Sequence, residues 1–276
     1  MKISIIIATF KASQYISRCL DSIREQDYPE LEIVVADGGS RDGTVEILKH
    51  YSSFMGESLI WFSEPDQGIG DAWNKAVKRA TGEWLLFQGA DDTLATPDVI
   101  STAASFLLKA YPTYRVVYGS VAMRFPTGDV AEFLDRPWSA ETFRNCLFNL
   151  PHQAVFHHHS LFKDHGTFDT SLIFLSDFDF LLRELIRSEP LHIPDFTVSN
   201  MQIGGISNNR QYAVQVVLEQ IQLYRRYAVG VPWTLCWWTI KTLGITMLYR
   251  MGGDRFALAI TNIYRRLVGG RPPLAY

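Results

Sequence analysis

The sequence predicts an α/β fold, a mainly parallel sheet flanked by helices, with a helical extension at its C-terminal end. Three observations predict it. Short β-branched apolar runs alternate with amphipathic helical patterns through the first hundred residues, as strand–helix–strand units of a parallel sheet do. Polar clusters fall where the apolar runs end, at Thr9, Asp37-Gly38-Gly39-Ser40, Glu64-Pro65-Asp66-Gln67-Gly68 and Asp91-Asp92, and ligands of such sheets sit beyond the carboxyl ends of the strands. The charge is split: from residue 221 onward eight Lys or Arg face one acid, a net +7, which leaves −10 for residues 1–220.

The elements follow in order. Residues 3–8 (Ile-Ser-Ile-Ile-Ile-Ala) suit a strand covered on both faces, and the run is too short for a signal peptide. Residues 12–26 set Tyr15, Ile16, Cys19, Leu20 and Ile23 at helical spacing, and Pro29 closes the region. Residues 31–36 are a second strand, 44–51 a helix that Asp42 or Thr44 can cap, and 59–62 a third strand. Residues 71–80 form a helix ending before Gly82, and 83–88 a fourth strand. Beyond them the pattern loosens. Residues 115–119 and 121–125 read as strands with 129–133 pairing back, 142–147 as a short helix, and 153–157 as a strand. Residues 178–186 are a helix, 203–210 a loop and 212–227 a helix.

Composition bounds the function. The 276 residues are 47% hydrophobic and 20% charged, ordinary usage for a globular chain with its own core. A formal net charge of −3 argues against a globally basic nucleic-acid binder. Cys19, Cys146 and Cys236 form no CxxC pair, which excludes a disulfide framework or cysteine zinc site and fits a reducing, cytoplasmic compartment.

Four polar groupings carry chemistry, each with a plainer alternative. Asp37-Gly38-Gly39-Ser40-Arg41-Asp42-Gly43-Thr44 joins a strand to a helix. Its glycines let backbone approach a ligand, and Asp37 can accept hydrogen bonds from a base or ribose; the alternative is a tight turn. Asp91-Asp92 follows a buried strand, where two adjacent carboxylates call for a cation. The alternative is a helix cap beside a solvated acid. Asp177 and Asp179 open an otherwise apolar helix, where one can be a general base kept ionised by the helix dipole, or an N-cap with an Arg183 ion pair. His157-His158-His159 cannot converge on one ion, because successive strand residues point to opposite faces. His152, after Pro151, is the better site candidate. Phe178, Phe180 and Trp84 read as core, and Trp73 stays open.

In order and spacing these segments resemble the family-2 glycosyltransferases, inverting enzymes of the Rossmann-like GT-A fold. The resemblance runs from Lys2 to about residue 210. It rests on Ser4-Ile5-Ile6-Ile7-Ala8-Thr9-Phe10, the 37–44 stretch, Glu64-Pro65-Asp66-Gln67-Gly68-Ile69 and Asn74-Lys75-Ala76. It continues through Ala80-Thr81-Gly82-Glu83-Trp84, Ala90-Asp91-Asp92, His152-Gln153-Ala154-Val155-Phe156, Gly166-Thr167-Phe168-Asp169 and Ser176-Asp177-Phe178-Asp179. The branch it looks most like makes bacterial surface polysaccharides.

The resemblance implies a catalytic domain over 1–215, with a nucleotide-sugar-binding half at 1–110 and an acceptor-side half at 111–215, then a basic, Trp-rich helical tail at 216–276. Thr9, Asp37 and Asp66 would line the nucleotide pocket, with Asp37 near the base, and Asn74 and Lys75 would lie near the donor. Asp91 matches the metal-binding aspartate of a DxD-like signature, with Asp92 its neighbour; the first acidic position of that signature is here Gly89. Asp177 matches the catalytic base, and His152, Gly204 and Gly205 fall on the acceptor side. The implied cofactor is Mn²⁺ or Mg²⁺, the donor a UDP-sugar, and the acceptor a glycan or a lipid-linked sugar. The rivals are an inactive relative serving as a membrane-bound assembly partner and, ranked lower, a sugar nucleotidyltransferase. The latter needs a basic glycine-rich loop where Thr9-Phe10-Lys11-Ala12-Ser13 stands.

The tail holds Trp233, Trp237 and Trp238, and residues 227–249 carry one charge, Lys241. That stretch is long enough to span a bilayer, but Pro232, Gly244 and four threonines interrupt it. A peripheral contact through 225–271 with the inner face of the cell membrane fits the Arg and Trp content. The alternative is packing on the catalytic domain or on a second copy of the chain.

Overall fold

The computed structural model describes residues 1–125, 127–139, 150–202 and 212–227, together with Glu141 and Gly244. Its contacts divide the chain into two units, Met1–Ala140 with Phe148–Ile203, and Glu141–Leu147 with Gly204–Tyr276. The expected helix at 142–147, the loop at 203–210, and the Trp-bearing stretch of the tail beyond residue 227 lie outside the described residues.

The first unit is built on one twisted sheet flanked by helices. Its parallel half comprises β1 (Ile3–Thr9), β2 (Leu31–Asp37), β3 (Leu59–Ser63) and β4 (Trp84–Gly89), with β1 between β2 and β4 and β3 beyond β2. Ile3, Ile5, Ile6 and Ile7 are fully buried because β1 is covered on both faces. Alternation sorts them: Ile5 and Ile7 join one core cluster with Ile33, Val35 and Leu86, while Ile6 joins a second with Val34, Leu85 and Phe87. Each such side chain contributes about 1.5–3 kcal/mol by leaving water.

Helices α1 (Ile16–Arg24) and α2 (Thr44–Met55) bury Ile16, Cys19, Leu20, Ile23 and Leu48 in the first cluster. The N-cap of α2 is Gly43, in the left-handed region (φ 102°), rather than the expected Asp42 or Thr44; Asp42 instead accepts from the Thr44 N–H at 3.2 Å and hydroxyl at 2.7 Å. Helix α3 (Ile69–Val77) begins two residues before the predicted start and buries Ala72, Trp73 and Ala76 in the second cluster.

The rest of the sheet departs more from expectation. A short β5 (Thr93–Leu94) and a helix α4 (Val99–Ala110) follow β4. The two strands expected at 115–125 are one, β6 (Val116–Arg124), and β7 (Val130–Leu134) pairs back on it antiparallel. The strand expected from Gln153 starts two residues later: His152–Ala154 is a 3-10 turn and β8 (Val155–His158) follows, antiparallel to both β4 and β6. Helices α5 (Ser160–His165) and α6 (Ser176–Leu185) lead to an unanticipated β9 (Leu191–Gln202), parallel to β6. Pro194 and a left-handed Asp195 (φ 56°) break its pattern. Among the described residues the strand order is β3-β2-β1-β4-β8-β6-β9-β5, with β7 beside β6. In the second unit, α7 (Ala213–Arg226) forms within the predicted 212–227 span.

Candidate functional site

Parallel register lines up the strand ends: Thr9 sits beside Asp37, Asp37 beside Ser63, and Ala8 beside Gly89. The Thr9 hydroxyl is buried with no hydrogen-bond partner, a group left for a ligand to satisfy. Asp37 is buried and has four donors on its carboxylate. They are the N–H groups of Gly39 (3.1 Å) and Ser40 (2.9 Å) and the hydroxyls of Ser63 (2.6 Å) and Ser40 (2.5 Å). Asp37 thus enters the site as the residue that shapes the loop. Asp66 lies against that loop: a Cβ on Gly38 would fall 2.5 Å from its Oδ2, so only glycine lets the carboxylate so close. Its Oδ1 accepts from Gly68 N–H at 2.9 Å.

Asn74 and Lys75, on α3, are engaged with the protein itself. The Asn74 amide donates to the Phe168 carbonyl (2.9 Å) and accepts from the Phe168 N–H (2.8 Å), holding the 166–169 segment on α3. Lys75 Nζ donates to the Pro65 carbonyl at 2.8 Å and pairs with Asp71 at 3.1 Å and Glu64 at 3.4 Å, tying the Asp66 loop to the same helix.

At the end of β4 the chain turns, with Asp92 N–H donating to the Gly89 carbonyl (3.1 Å). The acid absent at position 89 has a structural counterpart: a Cβ there would collide with the Asp92 carboxylate and lie 3.0 Å from Asp91 Oδ1. Both carboxylates therefore converge on the space beside Gly89. Asp92 is 3% exposed, and burial together with Asp91 pushes its carboxyl up to about 7. The Gln153 side chain lies beside it and opposes the rise, and the Gln202 N–H donates to it at 3.3 Å. Arg18 reaches the same turn, donating to the Asp91 carbonyl at 3.2 Å. Beneath it the Cys19 thiol is pushed up by burial and by both acids, so this cysteine is inert.

Two carboxylates converging on one space fit a hard divalent cation, whose charge would offset their mutual repulsion. Among the described residues no cluster of three or more His, Cys, Asp or Glu forms. Among the described residues these two carboxylates are the candidate protein ligands there, and ligand oxygens and water would complete the shell.

Asp177 sits in the first turn of α6, where its Oδ1 accepts from the Phe178 N–H at 2.8 Å. Helix α6 starts against α3: a Cβ on Gly70 would lie 3.3 Å from Ser176 Oγ. Asp179, the other acid of this turn, is buried and paired with Arg183. His152 Nδ1 is 4.0 Å from Asp177 Oδ2. The His152 ring is 6% exposed, stacks on Phe87 (centroids 4.8 Å, planes 19° apart) and meets Trp73 edge-on at 4.9 Å. Burial, with His157 nearby, pushes its pKa well below the imidazole range, so the ring is neutral.

The histidine run divides as strand geometry requires. His157 is buried and pushed down to about 3 by burial, His158 hydrogen-bonds Ser160, and His159 hydrogen-bonds the Gly82 carbonyl. Trp73 and Trp84 are both core. Gly204 and Gly205 lie outside the described residues. Sequence reasoning gave no role to Arg18, Gln153 or Gln202; the first is a helix charge, the second a neutral amide, and Gln202 acts through its backbone N–H, so no charge or periodicity marks them.

Comparison with known proteins gives one consistent result. The family model described as "Glycosyl transferase family 2" matches residues 4–163. A PGL/p-HBAD biosynthesis glycosyltransferase of Mycobacterium tuberculosis is 37% identical over 214 residues, 74% of this chain and 78% of that protein. Poly(ribitol-phosphate) beta-N-acetylglucosaminyltransferase TarS of Staphylococcus aureus is 34% identical over 109 residues, 39% of this chain and 19% of that protein. The structure of TarS 1–349 with UDP-GlcNAc superposes with a TM-score of 0.60 at 22% identity, over 80% of this chain and 67% of that one. The mannosyltransferase PcManGT from Pyrobaculum calidifontis, solved with GDP-Man and Mn²⁺, gives a TM-score of 0.67 at 18% identity, over 98% and 81%. Among the described residues no helix is long and apolar enough to cross a membrane.

Proposed function

The chain belongs to glycosyl transferase family 2, and from that premise we propose that it moves a sugar from a UDP-sugar to a hydroxyl of a glycan or lipid-linked acceptor, inverting the anomeric centre in one displacement. The uridine nucleotide is carried over from TarS, a partial relative solved with UDP-GlcNAc. Thr9, the Asp37 loop and Asp66 are the nucleotide-side residues in this reading, with Asn74 and Lys75 holding the neighbouring segments in place.

Asp91 and Asp92 would hold Mn²⁺ or Mg²⁺, which when bound neutralises charge on the departing diphosphate. Asp177 takes the proton of the acceptor hydroxyl while that oxygen bonds to the anomeric carbon. The bond from the anomeric carbon to the diphosphate oxygen breaks, and its electron pair leaves with the nucleotide. Single displacement from the opposite face inverts the centre and needs no covalent enzyme intermediate. His152, Gly204 and Gly205 belong to the acceptor side of the same proposal. The basic tail at 225–271 would bring the enzyme to the inner face of an anionic membrane, where a lipid-linked acceptor resides.

One observation supports the reading: successive residues of a single turn, His152 and Gln153, lie beside the candidate base Asp177 and the candidate metal carboxylate Asp92. The test is transfer from a panel of UDP- and GDP-sugars, with and without Mn²⁺, by wild type and Asp177→Asn. The expected result is Mn²⁺-dependent transfer from a UDP-sugar that falls at least about 1,000-fold in D177N, while UDP still raises its melting temperature. A folded wild-type protein whose melting temperature no nucleotide changes supports the inactive assembly partner instead.

A further inference from the structure

The residue chemistry around the 3-10 turn His152–Ala154 goes further than the family assignment. Its first residue faces Asp177 and its second lies beside Asp92. The turn leads directly into β8, and the Ala154 N–H donates to the Pro151 carbonyl at 2.9 Å. His152 is clamped between rings, stacked on Phe87 of β4 and edge-on to Trp73 of α3. A ring held in this way presents one edge to Asp177 and little freedom to turn.

The protonation of that ring follows from its surroundings. His152 Nε2 is buried with no hydrogen-bond partner, and the ring is neutral, so it carries a single proton. A buried N–H without an acceptor is costly, whereas Nδ1 faces a carboxylate oxygen. The proton therefore belongs on Nδ1. At 4.0 Å the pair is not yet a hydrogen bond, but a shift of about 1 Å makes it one, and such contacts commonly tighten when substrate binds.

We propose that His152 and Gln153 are positioning residues, one for each carboxylate: His152 donates from Nδ1 to Asp177 and fixes the base toward the acceptor hydroxyl, while Gln153 fixes Asp92 beside Asp91. The turn thereby sets the distance between the base and the leaving-group side of the reaction. An aromatic residue would pack the same pocket without an unpartnered polar nitrogen, so the histidine lowers stability for the sake of one directed N–H. The inference rests on Asp177 acting as the base.

The experiment compares wild type, His152→Phe, His152→Asn, Gln153→Leu and Asp177→Asn. H152F keeps the ring stack and removes the donor; H152N restores a donor near the Nδ1 position. The expected result for H152F is an unchanged or higher melting temperature, kcat lower by about 10- to 100-fold and donor KM within about twofold, with H152N recovering part of the loss. Q153L should raise the Mn²⁺ dissociation constant about 10-fold, read by electron paramagnetic resonance of free Mn²⁺, a readout independent of turnover. H152F with wild-type kcat, or H152N no better than a folded H152F, overturns the assignment to His152. Unchanged Mn²⁺ affinity in Q153L overturns that to Gln153. If D177N itself keeps wild-type transfer, the base assignment fails first, an outcome separate from either.

Discussion

The Asp92 carboxylate occupies the space that a side chain at Gly89 would need. The glycine and the buried acid are therefore two halves of one arrangement. An acid three residues downstream thus stands where a side chain at position 89 would be.

The first prediction follows directly. Gly89→Ala places a methyl group against both carboxylates in a turn closed by the Gly89 carbonyl. We expect a loss of about 1–3 kcal/mol, as for overpacking elsewhere, together with weaker stabilisation by Mn²⁺. Thermal denaturation with and without Mn²⁺ measures both. A fully stable G89A with an unaltered Mn²⁺ response would show that Asp92 need not stay where it is.

The second concerns charge. Asp92 is held at about 7 against an ordinary value of 3.8, chiefly by burial and then by Asp91. The folded state thus binds a proton more tightly than the unfolded one. Stability of the metal-free protein is highest below about pH 4 with respect to this group, and falls as pH rises toward 7. Asp92→Asn has the shape of the protonated acid and cannot ionise. It should melt several degrees higher than wild type at pH 8 without metal, the advantage shrinking toward pH 4. It should also lose the stabilisation that Mn²⁺ gives wild type. The melting temperature across that pH range checks the sign.

The third runs in the opposite direction. Glu32 is buried at the far end of the sheet, between β1 and the Thr81-Gly82 turn. Burial alone would raise its pKa, but Lys2 (2.6 Å), Ser4 (2.5 Å) and the Thr81 N–H (2.5 Å) and hydroxyl (2.8 Å) overcome it and hold the group at about 2. Its contribution is fully present above about pH 4.5 and is lost as pH falls toward 2. Glu32→Gln should cost on the order of 3 kcal/mol at pH 7 and progressively less toward pH 3. Chemical denaturation at the two pH values tests it, and an equal loss at both would mean that the ion pair is not what stabilises this end.

The parallel half of the fold was legible because its information is local. β1 to β4 are continuous apolar runs, and the helices between them carry their own periodicity. β9 was not legible: Pro194 and Asp195 interrupt it, and its partner β6 lies some seventy residues upstream, so only tertiary pairing reveals it. Helix α4 hid in a run of small residues, with Ala103, Ala104 and Ala110 on its buried face. The candidate site divides in the same way. Asp91, Asp92 and Asp177 stand out as charges at element ends, whereas Gln153, Gln202 and Arg18 matter only because the fold brings them to those charges. Asn74 was legible as a position but not as a role, because its partner is backbone 94 residues away.

The last prediction concerns the basic tail. Eight Lys or Arg and three Trp after residue 220 stand against a body of net charge −10. Each basic side chain near an anionic surface contributes about 1 kcal/mol, and exposed charges are screened within about a Debye length. The full chain should therefore sediment with vesicles rich in anionic lipid at low salt, and much less with zwitterionic vesicles. Replacing Arg225, Arg226, Arg265 and Arg266 by Gln should remove most of the binding, while UDP still raises the melting temperature. Binding that survives 0.5 M salt would assign the contact to the tryptophans. A chain that ignores both vesicle types but sediments as a dimer would assign the tail to a second copy.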